Sequence, residues 1–335
     1  MSRLAAAAWL LGFGSLVACG PSLHGAATSR PLDEDPVALL PSGADLVADL
    51  DVEQLRQWPP SRRFLQLLPE AARARLERVG FTLDDVDEVV VSVSQLGAKE
   101  ASSTLVLKGE LDLDKLRNGL GPPSEVTDNT YREAHLAEGP EGSMARVLPK
   151  LVVLASPAEV RRVIDLVRGE GESVRASASD RHLMAAFDRA PTAKSGRPAI
   201  RLAAVPSEPM REELKKLDLP GVDLDWLALS VAVGDGFDVG GVGGLKGPAE
   251  AESMANTARA RVSEFSGRMA VRLLGLKQYI EPIVFKARDS EVHFAYRLSA
   301  PTVTQMLDRL ESVSAARPQA PQAAPARAPE KQLDR

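Results

Sequence analysis

Apolar and polar positions alternate in a way that predicts short strands interleaved with amphipathic helices between residues 41 and 315. The clearest strand is predicted at 227–233, where every second residue is leucine or valine, and Gly234-Asp235-Gly236 predicts a tight turn after it. Other strands are predicted near 44–50, 89–93, 105–107, 151–154, 200–204 and 292–298.

Helices are predicted where apolar residues recur at the i, i+3, i+4, i+7 spacing of one helix face. The clearest example follows Ser156 and has Val160, Val163, Ile164 and Val167 on that face. A long helix is predicted at 249–265, with a buried face made of Met254, Ala258, Val262 and Phe265. Other helices are predicted near 52–58, 61–80 (capped by Ser61), 112–120, 207–217 and 303–310.

Two parts of the chain repeat the same order of predicted elements. A shift of 143 positions places Leu151 on Phe294, Ser156 on Ser299 and Val160 on Val303, and it keeps apolar positions together. This correspondence predicts an internal duplication over 41–170 and 198–315, joined by a helical segment at 171–197 that Asp180 caps. Chance agreement of two common amphipathic patterns is the alternative. The predicted fold is α+β, with helices on one face of a largely antiparallel sheet.

The two ends of the chain lack this patterning. Residues 19–40 are mostly small and polar and contain several prolines, which predicts a flexible tether. Residues 316–335 are rich in proline and alanine and have almost nothing to bury, which predicts a disordered tail.

Residues 1–18 have the layout of a secretory signal peptide. Arg3 provides a basic start, an apolar stretch runs from Leu4 to Phe13, and small residues lead up to Cys19. The run ending at Ala18 is shorter than the roughly 20 apolar residues that a membrane-spanning helix needs. A permanent transmembrane helix is therefore not expected here.

Leu16-Val17-Ala18-Cys19 resembles the lipobox of bacterial lipoproteins, in which an aliphatic residue and two small residues precede an invariant cysteine. The resemblance implies cleavage before Cys19, a diacylglyceryl thioether on its sulfur, and an acylated new amino terminus. Cys19 is the only cysteine, so no internal disulfide can form, and thioether formation would consume the thiol. The alternative is an ordinary signal peptide with an incidental cysteine. Gly20 in place of aspartate favours the outer membrane under the enterobacterial sorting rule.

The segment LVVLASPAEVRRVIDLV, followed by a second strand-rich half, is similar to uncharacterised exported bacterial families with repeated α+β units. Those families have no assigned activity, so the resemblance implies a fold and no mechanism.

The composition argues against a nucleic-acid partner, because the net charge is −5 and only 4% of residues are aromatic. The histidines His24, His135, His182 and His293 are far apart and show no zinc-binding spacing. His293 alternates onto the face opposite its apolar neighbours, so we expect it in solvent. The acidic runs at 84–88, 112–114 and 218–225 lack the spacing of a calcium loop and are typical of caps and turns. No metal or cofactor is expected.

The glycine-rich segment 234–247 fits neither phosphate-binding pattern. Lys246 precedes Gly247 and Pro248, whereas a phosphate loop has Lys after Gly and before Ser or Thr, and a dinucleotide loop would need glycine at position 246. We interpret the segment as a strand whose small residues let another group pack closely. No Gly-x-Ser-x-Gly sequence occurs, although dispersed catalytic residues need no local motif.

The sequence therefore predicts a non-enzymatic envelope protein that is held on a membrane through the lipid on Cys19 and binds an envelope protein or a lipid. Two alternatives stay open. One is a carrier or sensor of an apolar small molecule held between sheet and helices, and the other is a hydrolase with a dispersed site.

Overall fold

A computed structural model describes residues 32, 34–66, 84–98, 101–191, 197–216 and 224–315. Cys19, the predicted signal peptide, most of the predicted tether, the end of the helix predicted at 61–80 and the predicted tail lie outside these residues. The described residues build a twelve-stranded antiparallel sheet with helices packed on it, which confirms the predicted α+β class.

The order of strands across the sheet is β11-β12-β10-β9-β8-β1-β2-β3-β7-β6-β5-β4. The strands are β1 Leu46–Asp51, β2 Val86–Ser94, β3 Ser102–Gly109, β4 Thr127–Tyr131, β5 Ala134–Gly139, β6 Gly142–Leu148, β7 Leu151–Ala155, β8 Ile200–Ala204, β9 Trp226–Val233, β10 Gly236–Gly244, β11 Val284–Arg288 and β12 Glu291–Ser299. The predicted hairpin turn at 234–236 joins β9 to β10.

A 3₁₀ turn, Pro36–Leu39, precedes the first strand. The α-helices are α1 Val52–Gln57, α2 Pro60–Gln66, α3 Leu113–Asn118, α4 Pro157–Val167, α5 Arg181–Asp188, α6 Glu208–Lys216, α7 Pro248–Gly267, α8 Met269–Leu273, α9 Lys277–Ile280 and α10 Ala300–Ala315. The side chain of Asp112 caps α3 by accepting hydrogen bonds from the backbone amides of Asp114 and Lys115, as the acidic run there predicts.

Two halves of the chain use the same strand order and meet in the middle of the sheet. The series β1-β2-β3-β7-β6 corresponds to β8-β9-β10-β12-β11, and the hairpin β4–β5 is an addition at the outer edge of the first half. The halves join where β1 pairs with β8, with Ala48 opposite Leu202. The sheet is therefore continuous across the two predicted repeats.

The closing strand and helix of each half match in detail. Helices α4 and α10 begin at positions 157 and 300, which differ by the 143 residues of the sequence shift. Ser156 accepts a hydrogen bond from the amide of Glu159, and Ser299 accepts one from the amide of Thr302, both at 3.4 Å. Equivalent serines therefore cap equivalent helices.

Helices cover both faces of the sheet, whereas one covered face was predicted. One face packs against α4, α5 and the 3₁₀ turn, and the other packs against α1, α2, α3, α6, α7 and α10. The central strands carry apolar residues at consecutive positions, so that Leu46, Val47 and Ala48 are all buried. Runs of this kind suit strands that are buried on both sides.

Trp58, at the end of α1, and Arg63 of α2 tie the first half to the second. The ring of Trp58 stacks on Phe237 of β10 with 5.8 Å between centroids, and Arg63 pairs with Asp308 and Glu311 of α10 at 2.7 and 2.8 Å. Ser61 donates its hydroxyl to the carbonyl of Trp58, so it does not cap α2 as predicted. The two repeats thus share core packing as well as a sheet.

Asp180 precedes α5 as predicted, but its side chain does not cap that helix. Its Oδ2 instead accepts a hydrogen bond from the amide of Gly43 at 2.9 Å. The connecting segment is held in this way to the residues just before β1.

The turn between β4 and β5 places two non-glycine residues in the left-handed region. Arg132 has φ +48° and Glu133 has φ +71°, values that two-residue hairpin turns require and that Asn-Gly normally supplies. The turn also contacts α4 and the residues after it: Arg132 pairs with Asp165 at 3.1 Å, and Glu133 pairs with Arg168 at 3.0 Å. These ion pairs explain why charged residues occupy strained positions.

Replacing Glu133 by glycine is expected to raise the free energy of unfolding by about 0.5–1 kcal/mol. Glycine removes a left-handed strain of about 1–2 kcal/mol, while the lost pair with Arg168 is exposed and contributes about 0–1 kcal/mol. Glu252→Gly inside α7 is the control and should lower stability by about 1 kcal/mol. Urea unfolding measures both variants, and a destabilised Glu133→Gly protein would contradict this reading of the turn.

Candidate functional site

Three large apolar side chains are exposed at the end of α7 and in α8. Phe265 is 47% exposed, and Met269 and Leu273 are each 76% exposed. We call these three residues the apolar ridge. Folded proteins usually bury such side chains or use them for contacts, so three of them exposed within nine residues of chain point to an interaction surface.

Helix α7 buries Ala258 of the predicted face and leaves Met254 and Val262 partly buried, but Phe265 at its end is exposed. Ala251, Ala255 and Ala258 are the buried apolar residues of α7, and the first two pack with Val292 of β12. The prediction that Phe265 belongs to the buried face was wrong. Small alanines let α7 lie close to β11 and β12, and Phe265 sits near the end of the helix, beyond that contact.

The chain turns sharply between the two helices that carry the ridge. Arg268 ends α7 with an extended ψ of 135°, and its amide bonds to the carbonyl of Phe265 at 3.2 Å. Helix α8 then begins at Met269 and is followed by Gly275 at φ +65°. Phe265 therefore lies near the end of the 20-residue helix α7, whereas Met269 and Leu273 lie on the separate five-residue helix α8.

Basic residues surround the apolar ridge. From 261 to 277 the chain carries one acidic residue and four basic ones: Arg261, Arg268, Arg272 and Lys277. The guanidinium carbon of Arg268 lies 5.5 Å from the ring centroid of Phe265, and a nitrogen of the same group lies 3.2 Å from Glu264. Arg261 also pairs with Glu264 at 3.5 Å, and Lys277 pairs with Glu281 at 3.2 Å. The segment still carries more basic than acidic residues in a chain with net charge −5.

A polar cavity lies next to the ridge, between α9 and α10. Its volume is about 390 Å³, and its lining residues are Gly275, Gln278, Tyr279, Gln305, Asp308, Arg309 and Ser312. Arg309 donates a hydrogen bond to the carbonyl of Leu274 at 2.9 Å. The polar lining does not match the apolar cavity that a carrier of apolar molecules needs.

A network of charged residues around the buried Asp49 lies on the sheet where β1, β2 and β8 run side by side. Asp49 is 3% exposed, and its Oδ2 accepts hydrogen bonds from Arg201 at 2.5 Å and from Arg197 at 3.5 Å. Arg197 also donates to Glu88 at 2.7 Å. Burial, and then the negative charge of Asp49, raise the pKa of the Glu88 carboxyl above its usual value.

Each acid of this network is held by a guanidinium, which is how buried carboxylates are usually compensated. The network ties the start of β8 to its neighbouring strands. We assign it a structural role, because both carboxylates are engaged by guanidinium groups from other segments of the chain.

His293 is buried, with 7% exposure, although it was expected in solvent. Its side chain lies on the face opposite Phe294, as the alternation predicts, but that face is covered too, and its cross-strand neighbour Val242 is also buried. Burial lowers the pKa of the imidazole below its usual value. The exposure prediction failed because it assumed a sheet with one open face.

The glycine-rich segment forms β10 and packs closely, as interpreted from the sequence. A Cβ on Gly241 would meet Phe294 at 2.3 Å, and one on Gly244 would meet the indole nitrogen of Trp226 at 2.0 Å. The glycines are therefore required by neighbouring side chains in the core.

The other residues considered from the sequence do not converge. His135 lies in β5 and His182 in α5, while His24 and Cys19 lie outside the described residues. Within the described ranges, no three His, Cys, Asp or Glu side chains form a group suited to a metal ion. Among the helices that the structure describes, none has the length and apolar character to cross a bilayer.

No protein-family model and no curated protein matches the chain. Among solved structures, crystal form III of TP0453 is similar with 9% identity and a TM-score of 0.47, covering 82% of this chain and 98% of that one. Crystal form I of TP0453 shares 10% identity with a TM-score of 0.45, over 83% of this chain and 97% of that one. These likenesses do not bear on activity, which has to be argued from the residues of this chain.

Proposed function

We propose that this chain is a lipid-anchored protein of the bacterial envelope that works by binding rather than by catalysis. Its anchor is the lipid on Cys19, and Gly20 directs it to the outer membrane. The apolar ridge is the observation that supports the binding role. Met269 and Leu273 are about three-quarters exposed, so their large apolar side chains do not serve the core and are available for contacts.

The charged groups of the protein also support binding over catalysis. Asp49 and Glu88 are engaged by arginines. In the cavity beside α10, Asp308 pairs with Arg63, and Ser312 donates its hydroxyl to the carbonyl of Arg309 rather than to a base. Catalysis by a dispersed site would need a nucleophile and a base within hydrogen-bond reach.

Photo-crosslinking in intact cells tests this role. A crosslinker on the ridge should capture a defined envelope component, and the triple variant Phe265→Ser, Met269→Ser, Leu273→Ser should reduce that capture at least about tenfold, because each buried large apolar side chain contributes roughly 1.5–3 kcal/mol. The ridge is exposed, so the triple variant should unfold at the same temperature as the wild type.

Val284→Ser is the matched control, since Val284 is 41% exposed but lies on β11 at the edge of the sheet. This control should capture the same component as the wild type. Equal capture by the triple variant would show that the ridge is not the binding surface.

A further inference from the structure

We infer that the apolar ridge docks on a bilayer surface containing anionic phospholipid. This inference rests on the proposed function and identifies the occupant of its binding surface. Phe265, Met269 and Leu273 would enter the boundary between headgroups and acyl chains, while the neighbouring basic residues stay at the level of the phosphates.

The charge around the ridge favours anionic lipid over a neutral surface. Arg268 and Arg272 directly precede Met269 and Leu273 in the chain, and the guanidinium carbon of Arg268 lies 5.5 Å from the ring centroid of Phe265. Arginine side chains next to a bilayer interact with anionic headgroups while their aliphatic stems remain among apolar groups. The basic residues beside the ridge would add no binding energy with an uncharged, apolar protein partner.

The predicted anchor supplies the proximity that a small ridge needs. The sequence predicts a flexible tether of about 17 residues between Cys19 and Pro36, and such a tether would have an end-to-end distance of roughly 20–25 Å. The body is thereby confined close to the membrane, which turns the ridge contact into a second, effectively intramolecular binding event. Three apolar side chains are then enough for a populated docked state.

A site-specific fluorophore tests the docking. Cys19 is the only cysteine and lipidation consumes its thiol, so Met269→Cys gives the mature lipoprotein one reactive thiol on the ridge. The labelled protein is reconstituted in phosphatidylcholine vesicles with or without phosphatidylglycerol, and quenching by aqueous acrylamide is measured. We expect the quenching to fall at least about fivefold with phosphatidylglycerol and to recover at high salt.

Two matched variants locate the effect. Arg268→Glu with Arg272→Glu should lower the protected fraction about tenfold or more, since each basic residue near an anionic surface strengthens binding several-fold. A label at Glu133→Cys, on the 90% exposed position of the β4–β5 turn, should remain accessible with every lipid.

The outcomes separate this inference from the anchor. A label that stays accessible while the protein floats with the vesicles would overturn the docking and leave the anchor intact. Failure to float with the vesicles would overturn the anchor and the proposed function with it. Protection that appears without vesicles and rises with protein concentration would assign the ridge to a second copy of the chain and overturn the lipid assignment.

Discussion

Replacing Cys19 by serine is expected to abolish lipid labelling completely. The thioether requires sulfur, and serine oxygen cannot replace it, so the variant should either accumulate as uncut precursor or leave the membrane fraction. Metabolic labelling with a tagged fatty acid, followed by fractionation of the envelope, measures both effects. Labelling at the wild-type level would refute the lipobox assignment.

A displaced cysteine controls for the position of the anchor. In the double variant Cys19→Ser, Ser22→Cys a thiol is present three residues downstream, without the Leu-Val-Ala sequence before it. The double variant should remain unlabelled. Labelling at position 22 would show that the cysteine alone, and not the resemblance to a lipobox, determines acylation.

Replacing Gly244 by alanine is expected to lower the free energy of unfolding by about 3 kcal/mol, near the upper end of overpacking costs. The new methyl group would lie 2.0 Å from the indole nitrogen of Trp226, and that ring is 7% exposed with the guanidinium of Arg189 5.7 Å from its centroid. Neither the rigid indole nor the β10 backbone can move aside cheaply. Chemical denaturation of the purified protein measures the loss.

Gly267→Ala is the matched control, because a Cβ there meets no atom within 4 Å and the residue lies at the end of α7. The free energy of unfolding of that variant should be unchanged or higher by up to about 1 kcal/mol.

A second test replaces the clashing ring by a smaller side chain. Trp226→Leu should remove most of the stability cost of Gly244→Ala in a double-mutant cycle. Equal stability of Gly244→Ala and wild type would mean that β10 does not require glycine there.

The sequence predicted the elements whose apolar residues have a regular spacing and missed those without one, such as β5 and β6, where buried residues are consecutive rather than alternating. Strand β9 and helix α4 were identified because their apolar residues repeat at one regular spacing. Strands β4, β5, β6 and β11 were not. Residues 127–130 of β4 are all exposed, so this edge strand shows no alternation of buried and exposed positions from which it could be predicted.

The burial predictions for His293 and Phe265 failed for the same reason: burial depends on which helices cover each face of the sheet. His293 alternates as predicted, yet helices cover both sides of the sheet, and their placement depends on contacts far apart in sequence. Phe265 fits a helical stripe by spacing alone, but the stripe that is buried consists of alanines. The apolar ridge therefore could not be found from hydrophobic periodicity, and the only sequence signal for it was the local excess of arginine.

The pairing of β1 with β8 sets the order in which this protein can fold. Asp49 and Arg201 face each other across that pair although 152 positions separate them. Until β8 emerges, β1 presents an unpaired edge with Leu46, Val47 and Ala48 ready to be buried, and such edges recruit other chains. Contacts this distant in sequence also form slowly. The edge of β1 is therefore covered only when β8, in the second half of the chain, pairs with it. A chain stalled before residue 200 should need a chaperone to stay soluble.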